Sequence, residues 1–167
     1  VLGGVAISSL FGAIQATLLL QAEDGRIQAA LNWLIGSLNA RGWQEIKFTA
    51  LPILIALFIG LFLYRQLNLL SLGDDLSVSL GTSLFRSRCL IGAIATLLAA
   101  CAVSIGGLIG FIGLIVPHFS RLLIGNDFKY ILPFSALIGA LTLSSADLIS
   151  RLGPIEVPVG IVTALLG

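Results

Sequence analysis

Few side chains in this sequence could do chemistry, and none has the partners that a catalytic or metal site needs. His118 could act as a base or a metal ligand, but the chain has no second histidine, no H-E-x-x-H pattern and no cysteine near it in sequence. A nucleotide-binding G-x-x-x-x-G-K-[ST] loop and a G-x-S-x-G elbow are also absent. We therefore expect a structural role for His118, and a non-enzyme that holds no metal and needs no cofactor.

One acid and one base lie close together near the end of an apolar run. Asp147 and Arg151 are four residues apart with the acid first, which is the favourable order for an ion pair along a helix. Alternatively, Arg151 projects from the membrane surface, just before a Gly-Pro breaker, and meets an acidic partner. Both interpretations stay open at this point.

The polar segment Asn68–Gly81 has the pattern of a short amphipathic helix between two apolar runs. Leucines recur every four residues, two aspartates lie where they would complement a helix N-terminus, and a final glycine would stop the helix. The acidic start and the lack of lysine suit an anionic membrane poorly, so we expect it to dock on a partner protein. The residues concerned are Leu72, Gly73, Asp74, Asp75, Leu76, Leu80 and Gly81.

The elements that position these residues are membrane helices. Of 167 residues, 57% are hydrophobic and only 10% are charged, too few to coat a water-soluble domain. The charges cluster between long uncharged runs, and helices of about 20 apolar residues cross a bilayer. The glycines of residues 106–113 predict a break in the longest run. The sequence predicts an all-α polytopic bundle with six membrane segments, at about residues 1–22, 47–65, 88–106, 110–123, 130–148 and 157 onward.

Two helices carry stripes of small or weakly polar residues. Small residues allow membrane helices to approach closely, so packing is one explanation of both stripes. On the first helix a polar pathway lining is the alternative, which Gln15 favours because a carboxamide at membrane depth is costly in lipid. The two stripes are Gly4, Ser8, Gly12 and Gln15, and Ser135, Gly139, Thr142 and Ala146.

Four ordered strings resemble the permease family of bacterial ABC importers for iron–siderophores, haem and cobalamin. They are Leu-Ser-Leu-Gly-Asp-Asp-Leu-Ser-Val-Ser-Leu-Gly (70–81), Gly-Phe-Ile-Gly-Leu-Ile-Val-Pro-His-Phe-Ser-Arg (110–121), Ala-Asp-Leu-Ile-Ser-Arg (146–151) and Glu-Val-Pro-Val-Gly (156–160). The resemblance implies one permease domain over 1–167, covering the second half of a ten-helix subunit. The absence of methionine and the short final run also favour a piece of a longer protein.

The resemblance also implies functions for the segments singled out above. The loop of about residues 66–88, with its leucines, would dock on a separate ATP-binding cassette ATPase, and Arg151 would pair with a substrate-binding protein on the periplasmic face. Gly4, Ser8, Gly12 and Gln15 would face the pathway. The implied setting is a multi-pass protein of the bacterial inner membrane, in contact with lipid and a second permease copy and without nucleic acid.

Two other classes of protein remain as alternatives, and the substrate is open. A secondary transporter or channel would need ionisable groups at membrane depth, which are nearly absent from this chain. A purely structural subunit would not need the capped loop helix. Within the family, the upstream Trp-Leu-Ile-Gly-Ser-Leu string favours an iron–siderophore substrate, with haem and cobalamin as alternatives.

Overall fold

The computed structural model describes residues 2–22, 24–38, 42–152 and 157–165, and this described part is helical and joined by short turns. The helices are α1 (Leu2–Leu20), α2 (Asp24–Ile35), α3 (Trp43–Phe62), α4 (Tyr64–Ser71), α5 (Asp74–Ser79), α6 (Leu84–Gly106), α7 (Ile112–Ile124), α8 (Phe128–Arg151) and α9 (Val159–Leu165).

Four of these helices are long and apolar enough to cross a membrane: α1, α3, α6 and α8. The α7 helix has 13 residues, which is about 20 Å and less than the roughly 30 Å hydrocarbon core. Most large apolar side chains point outward, while a narrow core is formed by Ala56, Leu63, Val116, Ile131, Ala146 and Val159. This inverted distribution is that of a bundle whose outer surface meets lipid, and it confirms the predicted all-α polytopic fold.

The α2 helix is absent from the sequence-based prediction. Its sequence, DGRIQAALNWLI, mixes polar and apolar residues and so lacks the long uncharged run that predicts the membrane spans. Trp33 lies in this helix, and Trp43 begins α3. The sequence therefore located the spans but not the short helix between the first two.

The predicted break between α6 and α7 is confirmed. The α6 helix ends at Gly106, and Gly107 adopts φ +70°, from which its N–H still donates to the carbonyl of Val103. Phe111 also has a positive φ, 65°, immediately before α7 begins. The chain therefore reverses over 107–111 instead of forming one helix of about 48 Å, which a straight run through Ser120 would need.

Three helix ends meet at a glycine junction formed by Gly36, Gly107 and Gly160. The N–H of Gly160 donates to the carbonyl of Gly36 at 3.0 Å. A Cβ on Gly107 would overlap the carbonyl oxygen of Trp33, and one on Gly160 would overlap that of Ile35. Only hydrogen fits at these contacts, so the ends of α2 and α6 and the start of α9 approach backbone to backbone.

The small-residue stripe of α8 packs against α7. The Ser135 hydroxyl donates to Ser120 Oγ at 2.9 Å, and Ser120 is fully buried. A Cβ on Gly139 would lie 3.9 Å from a methyl group of Val116, which is ordinary contact. Since Ala146 is also fully buried, the packing explanation of this stripe is confirmed.

Candidate functional site

The polar segment between α3 and α6 forms two helices rather than the single helix predicted over Asn68–Gly81. The α4 helix ends at Ser71 with Leu72 as its C-cap, and Gly73 turns the chain with φ +99° before α5 starts. A leucine every four residues is compatible with one continuous helix. The leucine spacing carries no information about the backbone of Gly73, whose positive φ is a conformation that other residues rarely adopt. Leu72 therefore lies outside the helix that carries Leu76.

The buried hydroxyl of Ser77 folds α5 back onto α4. Ser77 Oγ lies 2.6 Å from the carbonyl oxygen of Leu69 and 2.6 Å from that of Gly73. The Ser77 side chain is completely buried, while the residues on either side of it are exposed. These two contacts of the Ser77 hydroxyl hold α5 against the end of α4, and we call the two helices and the residues between them the α4–α5 turn.

Both ends of α5 have the residues that the sequence predicts there, acidic at the start and glycine after the end. Asp74 and Asp75 occupy its first turn, where carboxylates complement the helix dipole. At the other end, Gly81 has φ +82° and its N–H donates to the carbonyl of Val78, while the Thr82 N–H donates to that of Ser77. This pair of hydrogen bonds is a Schellman motif, and it confirms Gly81 as the helix stop.

Asp74 also fastens α5 to the start of α6. Arg88 Nη2 donates to Asp74 Oδ1 at 2.6 Å. More than half of each side chain is exposed, so this ion pair contributes little to stability but does orient the loop. Sequence reasoning did not identify Arg88 as its partner.

The leucines of the α4–α5 turn point away from the protein. Leu72, Leu76 and Leu80 are 54%, 56% and 59% exposed, and they lie between α3 and α6 rather than within a candidate span. An apolar patch held in place by polar anchors is typical of a docking surface.

A second polar contact joins α4 to the start of α8. Asn68 Nδ2 donates to Asp127 Oδ1 at 2.7 Å, and Asn68 Oδ1 accepts from the backbone N–H of Phe128 at 3.0 Å. Asp127 is the N-cap of α8 and also accepts from the Lys129 N–H at 2.9 Å. The hydrogen bond from Asn68, followed by that from Lys129, lowers the pKa of Asp127 below its ordinary value.

At the opposite end of α8, Arg151 and Asp147 form the local ion pair that the sequence allows. Arg151 Nε lies 2.9 Å from Asp147 Oδ2, and Nη2 lies 3.1 Å from Oδ1. The pairing is bidentate, and about half of the Arg151 side chain is exposed. The guanidinium is therefore oriented by its own helix and still reaches the surface.

The remaining predicted residues lie apart from both ends of α8. Gly4, Ser8, Gly12 and Gln15 are all exposed on α1, and no atom of another element comes within 4 Å of where a Cβ on Gly4 or Gly12 would lie. His118 is exposed on α7. In the described part of the chain, no cluster of three His, Cys, Asp or Glu side chains could hold a metal ion.

A cavity of about 560 Å³ lies beside the α6–α7 break. Its walls are apolar and include Leu38, Val103, Gly106, Leu108, Ile112 and Leu143. Sequence analysis located the break but not the cavity, because residue 38 is far from the others in the chain.

Comparison with known proteins decides the family. A model of the FecCD transport family matches residues 1–167, the whole of this sequence. The chain belongs to the FecCD transport family. It is therefore a multi-pass membrane protein of a transport family, which agrees with its four apolar spans.

Curated FecCD relatives are similar along nearly the whole chain. It is 42% identical to the cobalamin import system permease protein BtuC of Halobacterium salinarum, covering 99% of this chain and 45% of the relative. It is 42% identical to the Fe(3+)-citrate import system permease protein YfmE of Bacillus subtilis, covering 99% and 50%. The chain thus spans about half the length of the curated relatives it matches.

A solved structure supports the same relationship. The chain superposes on an inward-facing metal-chelate type ABC transporter with a TM-score of 0.94 and 36% identity, covering 98% of this chain and 54% of that one. The family resemblance expected from the four sequence strings is confirmed by these comparisons.

Proposed function

We propose that this FecCD chain is part of the membrane-spanning permease subunit of a binding-protein-dependent ABC importer, which moves a metal chelate inward. A separate ATP-binding cassette ATPase would supply the energy. The family match over the whole sequence and the functions for which the relatives are named support this proposal. Because the chain covers half of those relatives, the pathway would be completed by the rest of the permease and by a second copy.

The observation that carries the proposal is the exposed leucine patch of the α4–α5 turn. Removing a leucine side chain completely from water stabilises a complex by about 1.5–3 kcal/mol, and three leucines project here. The Ser77 hydrogen bond and the Asp74–Arg88 ion pair hold them in place before any partner arrives. Such preorganisation lowers the entropy cost of docking, so Leu72, Leu76 and Leu80 would form the ATPase contact.

The other end of α8 would receive the substrate-binding protein. A helix of 24 residues is about 36 Å long, so Arg151 and the α4–α5 turn would lie on opposite sides of the membrane. The α4–α5 side would be cytoplasmic and the Arg151 side periplasmic in a bacterial inner membrane. A carboxylate of the binding protein would compete with Asp147 for the exposed edge of the guanidinium.

The first experiment tests the ATPase contact with a matched pair of substitutions. Leu76 and Val78 are both 56% exposed, and two helix positions apart they point about 200° away from each other. We expect Leu76→Asp in the complete permease to abolish ATPase binding or stimulated ATP hydrolysis in proteoliposomes, while Val78→Asp retains both. Unchanged hydrolysis and uptake in Leu76→Asp would contradict the assignment of this patch as the ATPase contact, and uptake that persists without any ATPase subunit would instead favour an ATP-independent transporter or channel.

A second experiment tests the periplasmic contact. We expect Arg151→Glu to weaken docking of the binding protein while ATPase assembly is retained. Asp147→Asn is the matched control, since it removes the local ion pair but keeps the guanidinium. Equal loss of both interactions in Arg151→Glu would contradict this division of roles.

The chelate is proposed to be of the iron–siderophore type, with haem and cobalamin as alternatives. Relatives named for cobalamin and for ferric citrate are both 42% identical to this chain, so percentage sequence identity favours neither substrate. Uptake of radiolabelled ferric siderophore, with unlabelled haem or cobalamin as competitor, would decide. Absence of ferric siderophore uptake, together with uptake of labelled haem or cobalamin by the same complex, would overturn the iron assignment.

A further inference from the structure

Both the nitrogen and the oxygen of the Asn68 carboxamide make hydrogen bonds to the start of α8. Its nitrogen donates to the Asp127 carboxylate and its oxygen accepts from the first backbone N–H of α8. An N-terminal N–H of a helix has no partner within its own helix, and here the partner of the Phe128 N–H comes from another helix, 60 residues earlier in the chain. Asn68 and Asp127 together cap α8, and we name this pair the α4–α8 link.

The link has a property that apolar packing lacks. Apolar contacts are non-directional, so two helices that touch only through them can slide past one another. Two hydrogen bonds, of 2.7 and 3.0 Å, both made by Asn68, fix the position of α4 along the start of α8. A displacement of α4 must therefore carry the α8 N-terminus with it or break the link.

The link lies within a continuous series of contacts between the two proposed docking regions. Ser77 joins α5 to α4, the link joins α4 to α8, and α8 runs without interruption to Arg151. We propose that Asn68 and Asp127 are positioning residues that transmit movement of the α4–α5 turn to the Arg151 end of α8. This inference depends on the proposed function, because it assumes an ATPase at one end and a binding protein at the other.

The energetic coupling between the two ends can be measured without knowing the chelate. If the ATPase and the binding protein bias one conformational equilibrium, ATP must change the dissociation constant of the binding protein, typically by about 5-fold or more. The assay is binding of the unloaded binding protein to the complete permease–ATPase complex in nanodiscs, with and without ATP, using a hydrolysis-deficient ATPase. The ratio of the two dissociation constants is the coupling factor.

Three variants separate transmission from a general loss of structure. Asn68→Ala removes the link without adding charge, and Asn68→Asp places two carboxylates side by side. The double variant Asn68→Asp with Asp127→Asn exchanges the two groups and keeps both hydrogen bonds between α4 and α8. Its amide at position 127 can donate to the carboxylate at position 68, which also accepts from the Phe128 N–H. The Lys129 N–H loses its acceptor, because Asn68 and Lys129 both donate to Asp127 Oδ1 in the wild type, but that bond lies within the start of α8 and does not join α4 to it. We expect the coupling factor to fall towards 1 in both single variants and to return to the wild-type value in the exchanged pair.

The possible outcomes distinguish this inference from the proposed function. A coupling factor unchanged in Asn68→Ala, or lost in the exchanged pair while its ATPase still binds, overturns the link. A wild-type factor of 1 also overturns it, because nothing is then transmitted. If the wild-type permease fails to bind any ATPase, the proposed function itself fails. If Asn68→Asp does not fold, Asn68→Ala and the exchanged pair still decide.

Discussion

Replacing Gly160 by alanine tests the glycine junction. Within a helix this change is ordinarily favourable, by at most about 1 kcal/mol. Here the added Cβ would overlap the carbonyl oxygen of Ile35, and such overpacking costs about 1–3 kcal/mol. The same displacement lengthens the Gly160–Gly36 hydrogen bond, which is worth about 0.5–1.5 kcal/mol. We expect a net destabilisation of about 1–3 kcal/mol.

The measurement is thermal unfolding of the complete permease in detergent, followed by the fraction that stays monodisperse after heating. Gly92→Ala is the matched control, because Gly92 lies within α6 with no atom within 4 Å of a Cβ. We expect Gly160→Ala to unfold at a lower temperature than wild type and Gly92→Ala to unfold at the same or a higher one. If Gly160→Ala is as stable as Gly92→Ala, the ends of α2 and α9 are not in backbone contact.

Three further predictions concern α8 and its N-cap. Ser135→Ala removes the hydrogen bond from α8 to the buried Ser120 hydroxyl, and should lower the free energy of unfolding in detergent by about 0.6–2 kcal/mol. An unchanged free energy of unfolding would mean that α7 and α8 are further apart. Ala146→Leu adds volume at a fully buried site and should destabilise by about 1–3 kcal/mol, whereas Leu148→Ala at an exposed site should change little. Since contacts lower the pKa of Asp127, its contribution is complete above the ordinary carboxyl pKa and disappears as pH falls through the lowered value. The stability difference between wild type and Asp127→Asn should therefore vanish in acid, and a difference that persists would contradict the hydrogen bonds.

The long helices could be predicted because lipid imposes a simple rule on sequence. A span needs about 20 mostly apolar residues, and α1, α3, α6 and α8 are each long and apolar enough to meet this condition. The break after Gly106 was also predictable, since adjacent glycines weaken a helix. In contrast, α2 does not meet the condition for a membrane span, because its composition is partly polar, and so it was not predicted from the sequence.

The candidate site was only partly predictable, because its contacts join distant parts of the chain. The short helix of the loop and its stop at Gly81 follow from local rules. Asp127 could have been recognised as an N-cap from its position before an apolar run. Asn68 could not have been paired with it, since nothing local relates residues 59 positions apart. The docking roles of Leu76 and Arg151 stay predictions.

The glycine junction also sets the order of events during synthesis. Its last member, Gly160, leaves the ribosome roughly 120 residues after Gly36, which at about 5–20 residues per second is on the order of ten seconds. Over this interval the Gly36 carbonyl lacks the Gly160 N–H that donates to it in the folded bundle. The earlier helices are therefore synthesised before the contact between the end of α2 and the start of α9 can form. The glycine junction is completed only after α9 has been synthesised, so this part of the bundle assembles last.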